Sequence, residues 1–495
     1  MSFMMTSSSP SATLTVASTS SLPPFRRVAV VLAAVLMLAG CATKVDNTQP
    51  ALALPATWSE GVPTAATARL EREWWRSFRS EELVRLVDEA QAGSTDLMIA
   101  AERVKQAELA ARLAGASLFP QVDVGADTGE RFTATPGSGN TQTTRFTSAA
   151  ISASYEIDLW GRVAATVRGS EATLLGSRYD LETARLSLTT GVANAYFQVI
   201  SLRMRLVVAR ENLAIAERVQ GIVEARYRNG VATALDASRQ RTAVLTQRTA
   251  ILPLEVQERQ TLSALAILLG RAPQGLVLQA QSFDGIGVPE VAPGLPSSLL
   301  NRRPDLASVE AQLAGADADV AAARAALFPT ISLSATAGMS STALLTLSNP
   351  IFSAEIAASI MRTIFGADRL RSQIQTSEST RRQLVLSYKR SVYTALKEVD
   401  DALGNATRNR EQERNQVVIR DEARRALSLS ELRFKEGADD LNSLLDAQRT
   451  LFAADEALAL QRLNRLSGSI AVFKALGGGW ERPDPSKTPA TEPAR

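Results

Sequence analysis

The amino-acid sequence predicts a mainly α-helical protein with a small β part, built from two copies of one unit. Asp96-Leu97 precedes Phe119-Pro120 at the same spacing at which Asp305-Leu306 precedes Phe328-Pro329. After each Phe-Pro pair the apolar pattern changes from a helical period to the two-residue period of a strand. Each copy is therefore predicted to run helix, β-hairpin, long helical hairpin, helix, and an internal duplication of this kind defines the whole fold.

Two strands follow each Phe-Pro pair. They are predicted at about residues 121–135 and 145–159 in the first copy, and at about 329–338 and 344–360 in the second. Apolar residues occupy alternate positions along these strands, with small polar residues between them. Such alternation suits a strand with lipid on one side and water on the other, and it is equally typical of a hairpin on a soluble core. The pattern leaves both interpretations open.

A long helical pattern follows each hairpin. Within residues 188–216 and 385–406, apolar residues recur in alternating steps of three and four, which is typical of a coiled-coil seam. Alanine fills many of these positions, so neighbouring helices can approach closely. Each pattern closes on a glycine loop, at Gly230 in the first copy and at Gly437 in the second.

Each long pattern is expected to fold back once, because a single straight helix would span roughly 100 Å at 1.5 Å per residue. In the second copy the turn is predicted near Gly404-Asn405 or in the polar run 408–415. No Gly or Pro marks a turn in the corresponding part of the first copy. After the glycine loops, a further helix is expected to run to about Gly270 in the first copy and Gly477 in the second.

These patterns divide the chain after residue 73 into four parts. Residues 74–270 form the first repeat and residues 297–480 the second. Residues 271–296 carry four prolines and are predicted to be a linker. The tail, residues 481–495, is rich in proline and polar residues and is predicted to be disordered.

The first forty residues predict export. Two arginines, a short apolar segment and a small-residue ending give residues 1–40 the layout of a secretory signal peptide. Its last residues, Leu38-Ala39-Gly40-Cys41, resemble the lipobox of bacterial lipoproteins, in which the cysteine becomes a lipid-bearing first residue. By the same resemblance, Ala42 favours sorting to the outer membrane, and residues 41–73 are expected to form an extended lipidated segment. The alternative is a chance cysteine in an ordinary signal peptide.

Composition excludes several classes of function. The net charge of +3, from 54 basic and 51 acidic residues, gives no reason to expect a nucleic-acid partner. Cys41 is the chain's one cysteine, and there is no histidine, so Ser-His-Asp, Cys-His and thiolate–zinc chemistry have no residues to use. We therefore expect no enzyme activity, no metal and no cofactor.

The whole chain offers only four predicted strands, and this number matters if the strands lie in a membrane. Four strands in an open sheet would leave the edge N–H and C=O groups unpaired in lipid, at a cost of several kcal/mol each. Several chains would then have to contribute their strands to one closed barrel. Periodicity alone does not give the number of chains, since two, three or four could close one.

Several motifs together resemble the TolC-like outer-membrane factors, in particular the lipoproteins of the NodT or OprM type. They run through nearly the whole mature chain and are Trp75 with Phe78, Tyr155-Glu-Ile-Asp-Leu-Trp-Gly161, Leu295-Pro-Ser-Ser-Leu-Leu-Asn-Arg-Arg-Pro-Asp305, Ala325-Ala-Leu-Phe-Pro329, Leu445-Asp446-Ala-Gln448 and Ala475-Leu-Gly-Gly-Gly-Trp480. Each motif alone is weak, and their order and duplication make the resemblance specific.

The resemblance implies a homotrimer in which four strands per chain make a 12-stranded β-barrel in the outer membrane, above a periplasmic barrel of α-helices. It implies a passive exit duct for small molecules or drugs, working with a periplasmic adaptor and an inner-membrane transporter of the resistance-nodulation-division class. Two alternatives stay open. One is an exit duct for type I protein secretion, and the other is a lipid-anchored periplasmic coiled-coil protein, structural or adaptor.

The resemblance also suggests roles for individual residues. Asp400 and Asp401 are predicted to lie shortly before the periplasmic tip, where family members close the duct with acidic rings, although such a pair is also common on a solvated helix face. Phe119-Pro120 and Phe328-Pro329 are predicted to mark helix-to-strand boundaries, with the aromatic rings at the membrane interface.

Overall fold

The computed structural model describes residues 52–60, 71–134 and 141–483. The predicted signal peptide, Cys41 and most of the predicted tail lie outside these described residues. Within the described ranges, no helix combines the length and the apolar character needed to span a membrane.

The same order of elements occurs twice, except that the first repeat has one additional helix before its strands. In the first repeat a 3-10 turn at Trp74–Phe78 precedes α1 (Glu81–Gly93), α2 (Thr95–Ala116), β1 (Gln121–Ala134), β2 (Thr141–Glu156), α3 (Arg162–Arg228) and α4 (Ala234–Leu268). In the second, a 3-10 turn at Pro296–Asn301 precedes α5 (Pro304–Ala325), β3 (Thr330–Ser341), β4 (Ile351–Met361), α6 (Ala367–Lys435) and α7 (Leu441–Ala475).

Four strand boundaries differ by three residues or more from those predicted. β2 begins at Thr141 rather than at 145, and β3 ends at Ser341 rather than at 338. β2 ends at Glu156 rather than at 159, because the Asp158 carboxylate accepts hydrogen bonds from the N–H groups of Val163 (3.0 Å) and Ala164 (2.7 Å) and so caps α3. β4 begins at Ile351 rather than near 344, because residues 342–350 form a loop.

The predicted turn near Gly404-Asn405 or within 408–415 is wrong. α6 runs unbroken for 69 residues, and α3 runs for 67. At 1.5 Å per residue each is about 100 Å long. Both fold back only at the glycine loops, where Gly230 and Gly437 have φ angles of +74°. Such lengths are stable because each helix packs against neighbours along its course rather than around one globular core.

The four strands form one antiparallel sheet in the order β1-β2-β3-β4. β2 and β3 join the two repeats at the centre of the sheet, with Ile151 opposite Ala337. β1 and β4 are the edges. Pairing is continuous, without a bulge, so each side chain keeps its place on one of the two faces.

The helices continue the order of the strands. α2 leads into β1, α3 follows β2, α5 leads into β3 and α6 follows β4, and these helices pack as α2-α3-α5-α6. Farther from the sheet the order is α4-α3-α7-α6. The largest core lies between these two levels, where Trp74 stacks on Phe473 of α7 with ring centroids 5.0 Å apart and Phe78 packs against Phe197 of α3.

Candidate functional site

The sheet has one apolar and one polar face. Side by side across the four strands lie Val124, Ile151, Ala337 and Ala354, and the adjacent row on the other face is Asp123, Ser152, Thr336 and Glu355. Apart from the loop at residues 342–350, which lies against one end of the apolar face, neither face is covered by another part of the described chain, and Ile356, at the centre of β4, is 81% exposed. A sheet that leaves an apolar face open needs an apolar environment on that side.

The height of the apolar face approaches that of the apolar band of a membrane barrel. Along β3 it extends from Ile331 to Met339, and Ser341 ends the row. These eight residue steps at about 3.4 Å make roughly 27 Å along the strand. Tilted by about 35–45°, as strands in membrane barrels are, this corresponds to about 19–22 Å, most of the usual apolar band of about 25 Å.

Aromatic rings lie at the end of this face where the strands meet the helices, which we call the lower end. Phe119-Pro120 lies between the end of α2 and the start of β1, and Phe328-Pro329 between α5 and β3. The Trp160 ring stacks on Phe328 with centroids 4.8 Å apart, and its Nε1–H donates to the carbonyl oxygen of Pro329 at 2.7 Å. Aromatic side chains in such positions are typical of membrane–water interfaces.

A charged pair marks the opposite end of the apolar face, which we call the upper end. On the apolar face, Arg145 of β2 donates to Glu130 of β1 at 2.7 Å, one row above Thr128 and Thr147. An ion pair is costly within hydrocarbon, so the band must end below this row. The apolar face therefore has an interface at both ends.

Asp400 and Asp401 do not lie near a tip. Both are within α6, and Asp400 is 35 residues before the helix ends at Lys435, about 50 Å along the axis. The Asp401 carboxylate pairs with Lys397 one turn away on the same helix. The positional argument that placed a gate at these residues is thus wrong, because it depended on the turn near Gly404.

Asp400 instead holds the N-terminal segment, residues 52–60. Its two carboxylate oxygens accept hydrogen bonds from the Ser59 N–H (2.9 Å) and hydroxyl (3.2 Å). Two turns farther along α6, Arg408 pairs with Glu60 at 2.8 Å. Gly404, midway between Asp400 and Arg408, leaves space for the side chains of Glu60 and Arg408. A Cβ at this position would lie 3.3 Å from Glu60 Cγ and 2.7 Å from Arg408 Nη1. We call Asp400, Gly404 and Arg408 the N-terminal clamp.

The N-terminal segment is also held by a further hydrogen bond and by apolar contacts. Trp58 donates its Nε1–H to the carbonyl oxygen of Gly294 at 2.9 Å, and Leu52, Leu54 and Trp58 pack beside buried residues of α6 such as Val399. The sequence did not lead us to predict this site, although the apolar residues of this segment were a signal for it. The clamp ties the chain just after the predicted lipid site to the middle of the molecule.

We expect Asp400→Ala to release this segment. The substitution removes two hydrogen bonds to a carboxylate, and a net loss of about 1 kcal/mol would expose the bond after Glu60 roughly five-fold more often. Limited digestion with the glutamate-specific protease Glu-C measures this exposure. The matched control is Asp401→Ala, whose pairing stays within α6 and whose cleavage should equal that of the wild type. Equal cleavage in both variants would contradict the role of Asp400.

The tip lies at the two glycine loops, where the helical hairpins contact each other. Arg226 of α3 donates to the carbonyl oxygen of Phe434 and lies 4.7 Å from the centre of its ring. Arg218 pairs with Glu431 at 2.9 Å. A groove of about 670 Å³ runs between the loops, lined in part by Arg218, Arg226 and Lys435.

Acidic groups also lie at this tip. Asp440 caps α7, and the hydrogen bond from the Ser443 N–H lowers the pKa of its carboxyl. The Asp440 N–H likewise lowers the pKa of Asp439, which also pairs with Arg433 at 3.3 Å. Asp446, less than two turns into α7, is exposed, and no ion pair or side-chain hydrogen bond holds it among the described residues. Asp446 and the exposed Glu436 at the end of α6 are both acidic candidates for the gate predicted at the tip.

Comparison with known proteins gives a consistent result. The family model described as outer membrane efflux protein matches residues 86–271 and 295–478, one match for each repeat. The chain is 38% identical over 460 residues to the pyoverdine export outer membrane protein OpmQ of Pseudomonas aeruginosa, covering 91% of this chain and 96% of that one. It is 31% identical over 457 residues to a probable efflux pump outer membrane protein, TtgC, of Pseudomonas putida, covering 90% and 94%.

Solved structures agree with these relatives. The outer-membrane channel OprN superposes with a TM-score of 0.79 at 26% identity, covering 88% of this chain and 99% of that one. CusC, described in terms of transmembrane channel formation, superposes with a TM-score of 0.77 at 27% identity, covering 88% and 100%. With both repeats matched by the family model and the sheet open on an apolar face, the chain belongs to the outer membrane efflux protein family.

Proposed function

We propose that three copies of this chain close into a 12-stranded β-barrel in the outer membrane and continue into the periplasm as an α-helical barrel. The assembly is a passive exit duct for small molecules. The observation that carries the proposal is a four-stranded sheet with an open apolar face and two unpaired edges. In lipid each unpaired backbone group costs several kcal/mol, so β1 of one chain pairs with β4 of the next.

The helices support the same closure. α2 and α4 lie on the side of β1, and α6 lies on the side of β4. Large apolar side chains are exposed on these edge helices, among them Leu113 of α2, Leu252 of α4 and Leu386 of α6. The two edges are different surfaces, so their contact is head-to-tail and generates a ring when the rotation closes.

The mass of the detergent-extracted assembly tests this proposal. Native mass spectrometry should give three copies of the mature chain, and SDS gels should show a trimer band that heating converts to monomer. Planar-bilayer recordings of the same sample should show channels. Two or four copies would contradict the number three. A soluble monomer, after removal of the lipid site, would favour the alternative of a lipid-anchored periplasmic coiled-coil protein.

We propose a periplasmic adaptor and an inner-membrane transporter of the resistance-nodulation-division class as partners. The tip groove, with Arg218, Arg226 and Lys435 along it, is the surface on which the adaptor docks. Relatives named for export of pyoverdine, toluene and antibiotics support small molecules as cargo. Crosslinking from Lys435 followed by mass spectrometry identifies the adaptor. A type I secretion adaptor in its place would favour protein export.

We propose that Asp446 forms the acidic constriction. Three copies of one exposed carboxylate around a narrow axis favour cations. Asp446→Ala should therefore lower the cation-to-anion permeability ratio, measured from reversal potentials in a salt gradient. Asp400→Ala combined with Asp401→Ala should leave the ratio unchanged, because both residues are far from the tip. A lower ratio in the double variant and an unchanged ratio in Asp446→Ala would restore the original assignment.

We also propose that Cys41 carries the lipid. Barrel strands hold the assembly in the membrane, so the lipid acts as a second anchor that sorts the chain and aids assembly. Cys41→Ala is therefore expected to lower the amount of trimer in outer membranes without changing the conductance of the trimers that form. Mass spectrometry of the wild-type N-terminal peptide checks the modification. A fully assembled but inactive variant would contradict this role.

A further inference from the structure

The loop between β3 and β4, residues 342–350, lies against the sheet rather than standing above it. The Thr147 hydroxyl of β2 donates to the carbonyl oxygen of Ala343 at 2.8 Å. The N–H of Leu345 donates to the Thr128 hydroxyl of β1 at 3.2 Å. These two threonine hydroxyls are 2.9 Å apart, so the loop starts from β3, crosses β2 and reaches the edge strand β1.

The loop lies on the apolar face. Thr128 is four residues from Val124, and Thr147 is four residues from Ile151, so alternation places both threonines on the face of those apolar residues. Both threonine hydroxyls that hold the loop therefore point away from the polar face. In the proposed barrel the polar face lines the lumen, so the loop folds outward and leaves the lumen uncovered on its side.

The loop conformation is held by further contacts. The Ser341 hydroxyl donates to the carbonyl oxygen of Ser348 at 2.6 Å and accepts from the Ala343 N–H at 3.2 Å. Leu345 has a φ of +58°. A left-handed conformation costs a residue with a side chain about 1 kcal/mol or more, which these contacts offset. In this conformation the Leu345 side chain is 78% exposed.

The level of the loop indicates what covers it. It is anchored on the row of Thr128 and Thr147, directly below the ion pair of Glu130 and Arg145. This row is the upper end of the apolar band. Leu344 and Leu345 therefore extend the apolar face at the point where acyl chains of the outer leaflet would contact it.

We propose that the β3–β4 loop is a membrane anchor, in which Leu344 and Leu345 insert among acyl chains of the outer leaflet. This inference rests on the proposed barrel, because it takes the apolar face as the lipid-facing one. Folded outward, the loop fixes the height of the barrel rim in the membrane and does not act as a lid over the pore.

Site-directed spin labelling tests the anchor. Leu345→Cys is labelled with a nitroxide in the Cys41→Ala background, and the trimer is reconstituted into palmitoyl-oleoyl phosphatidylcholine vesicles. Collisions with oxygen report lipid, and collisions with a nickel chelate report water. We expect a ratio of oxygen to nickel accessibility several-fold higher than at Ala357→Cys on the polar face. High nickel accessibility at Leu345 would overturn the proposal, and so would low access to both reagents, which means burial against a neighbouring chain.

Ile356→Cys separates failure of the anchor from failure of the barrel. Its label should report lipid whatever the loop does. If the Ile356 label reports water, the barrel proposal fails. If it reports lipid while the Leu345 label does not, the barrel stands and the anchor is wrong.

Replacing the β3–β4 loop tests whether this loop acts as a lid over the pore. Substituting residues 343–348 with Asn-Gly, a two-residue turn that suits a hairpin, removes Leu344 and Leu345 together with Leu347. Single-channel conductance should be unchanged, whereas the amount of trimer retained in vesicles should fall. An increased conductance would mean that the loop obstructs the pore, and would overturn the proposal.

Discussion

Replacing Ile356 with arginine is expected to abolish the trimer in outer membranes. Ile356 is the central residue of β4 and lies on the apolar face opposite Ala335. An arginine near the middle of a membrane costs about 2–4 kcal/mol per copy, and three copies cost the barrel about 6–12 kcal/mol. That range is comparable to the whole stability of an ordinary domain. The heat-modifiable trimer band in outer-membrane fractions measures the result.

The neighbouring position provides a matched control. Ala357 lies opposite Ser334 on the polar face, in the same strand and at almost the same depth. Its surroundings include Glu355 and Ser359, so an arginine there faces water and a carboxylate. Ala357→Arg should therefore keep the trimer while changing its conductance. Loss of the trimer in both variants, or in neither, would contradict the assignment of faces.

The two faces were predictable from the sequence because strand alternation is a local property. Whichever strands pair with β3, Ile331 and Leu333 must point to one side and Ser332 and Ser334 to the other. The apolar pattern did not locate the start of β4, since Leu344 and Leu345 in the loop resemble the residues of the strand that follows. The hydrogen bonds to Thr128 and Thr147, which depend on the fold of the sheet, distinguish the loop from the strand.

Gly404 and Asp400 show where sequence reasoning stops. A glycine within a helical pattern can mark a turn or a close approach by another segment, and the two cannot be separated locally. Here the approaching segment is residues 58–60, remote in sequence from α6. Because the predicted turn set the position of the predicted gate, one misread glycine also placed that prediction at Asp400, about 50 Å from the end of α6.

The closing glycines of the two repeats lead to the second large prediction. After α7, Gly477 has a φ of +88°, and a Cβ there would lie 1.8 Å from the carbonyl oxygen of Arg302. After α4, Gly270 has a φ of +72°, and a Cβ there would lie 2.0 Å from the carbonyl oxygen of Gly93. In both repeats, therefore, a glycine lets the end of the last helix touch the backbone near the repeat's start.

Gly477→Ala is accordingly expected to destabilise the chain by at least about 3 kcal/mol, since it adds a backbone clash to the strain of a positive φ. Gly437→Ala is the control for strain alone, because its φ is +74° and a Cβ there would meet nothing within 4 Å. It should cost only about 1–2 kcal/mol. Thermal unfolding of the purified trimers gives the comparison. Equal losses at the two glycines would mean that the contact with Arg302 does not constrain the fold, whereas a larger loss at Gly477 would show that this contact holds the second repeat together.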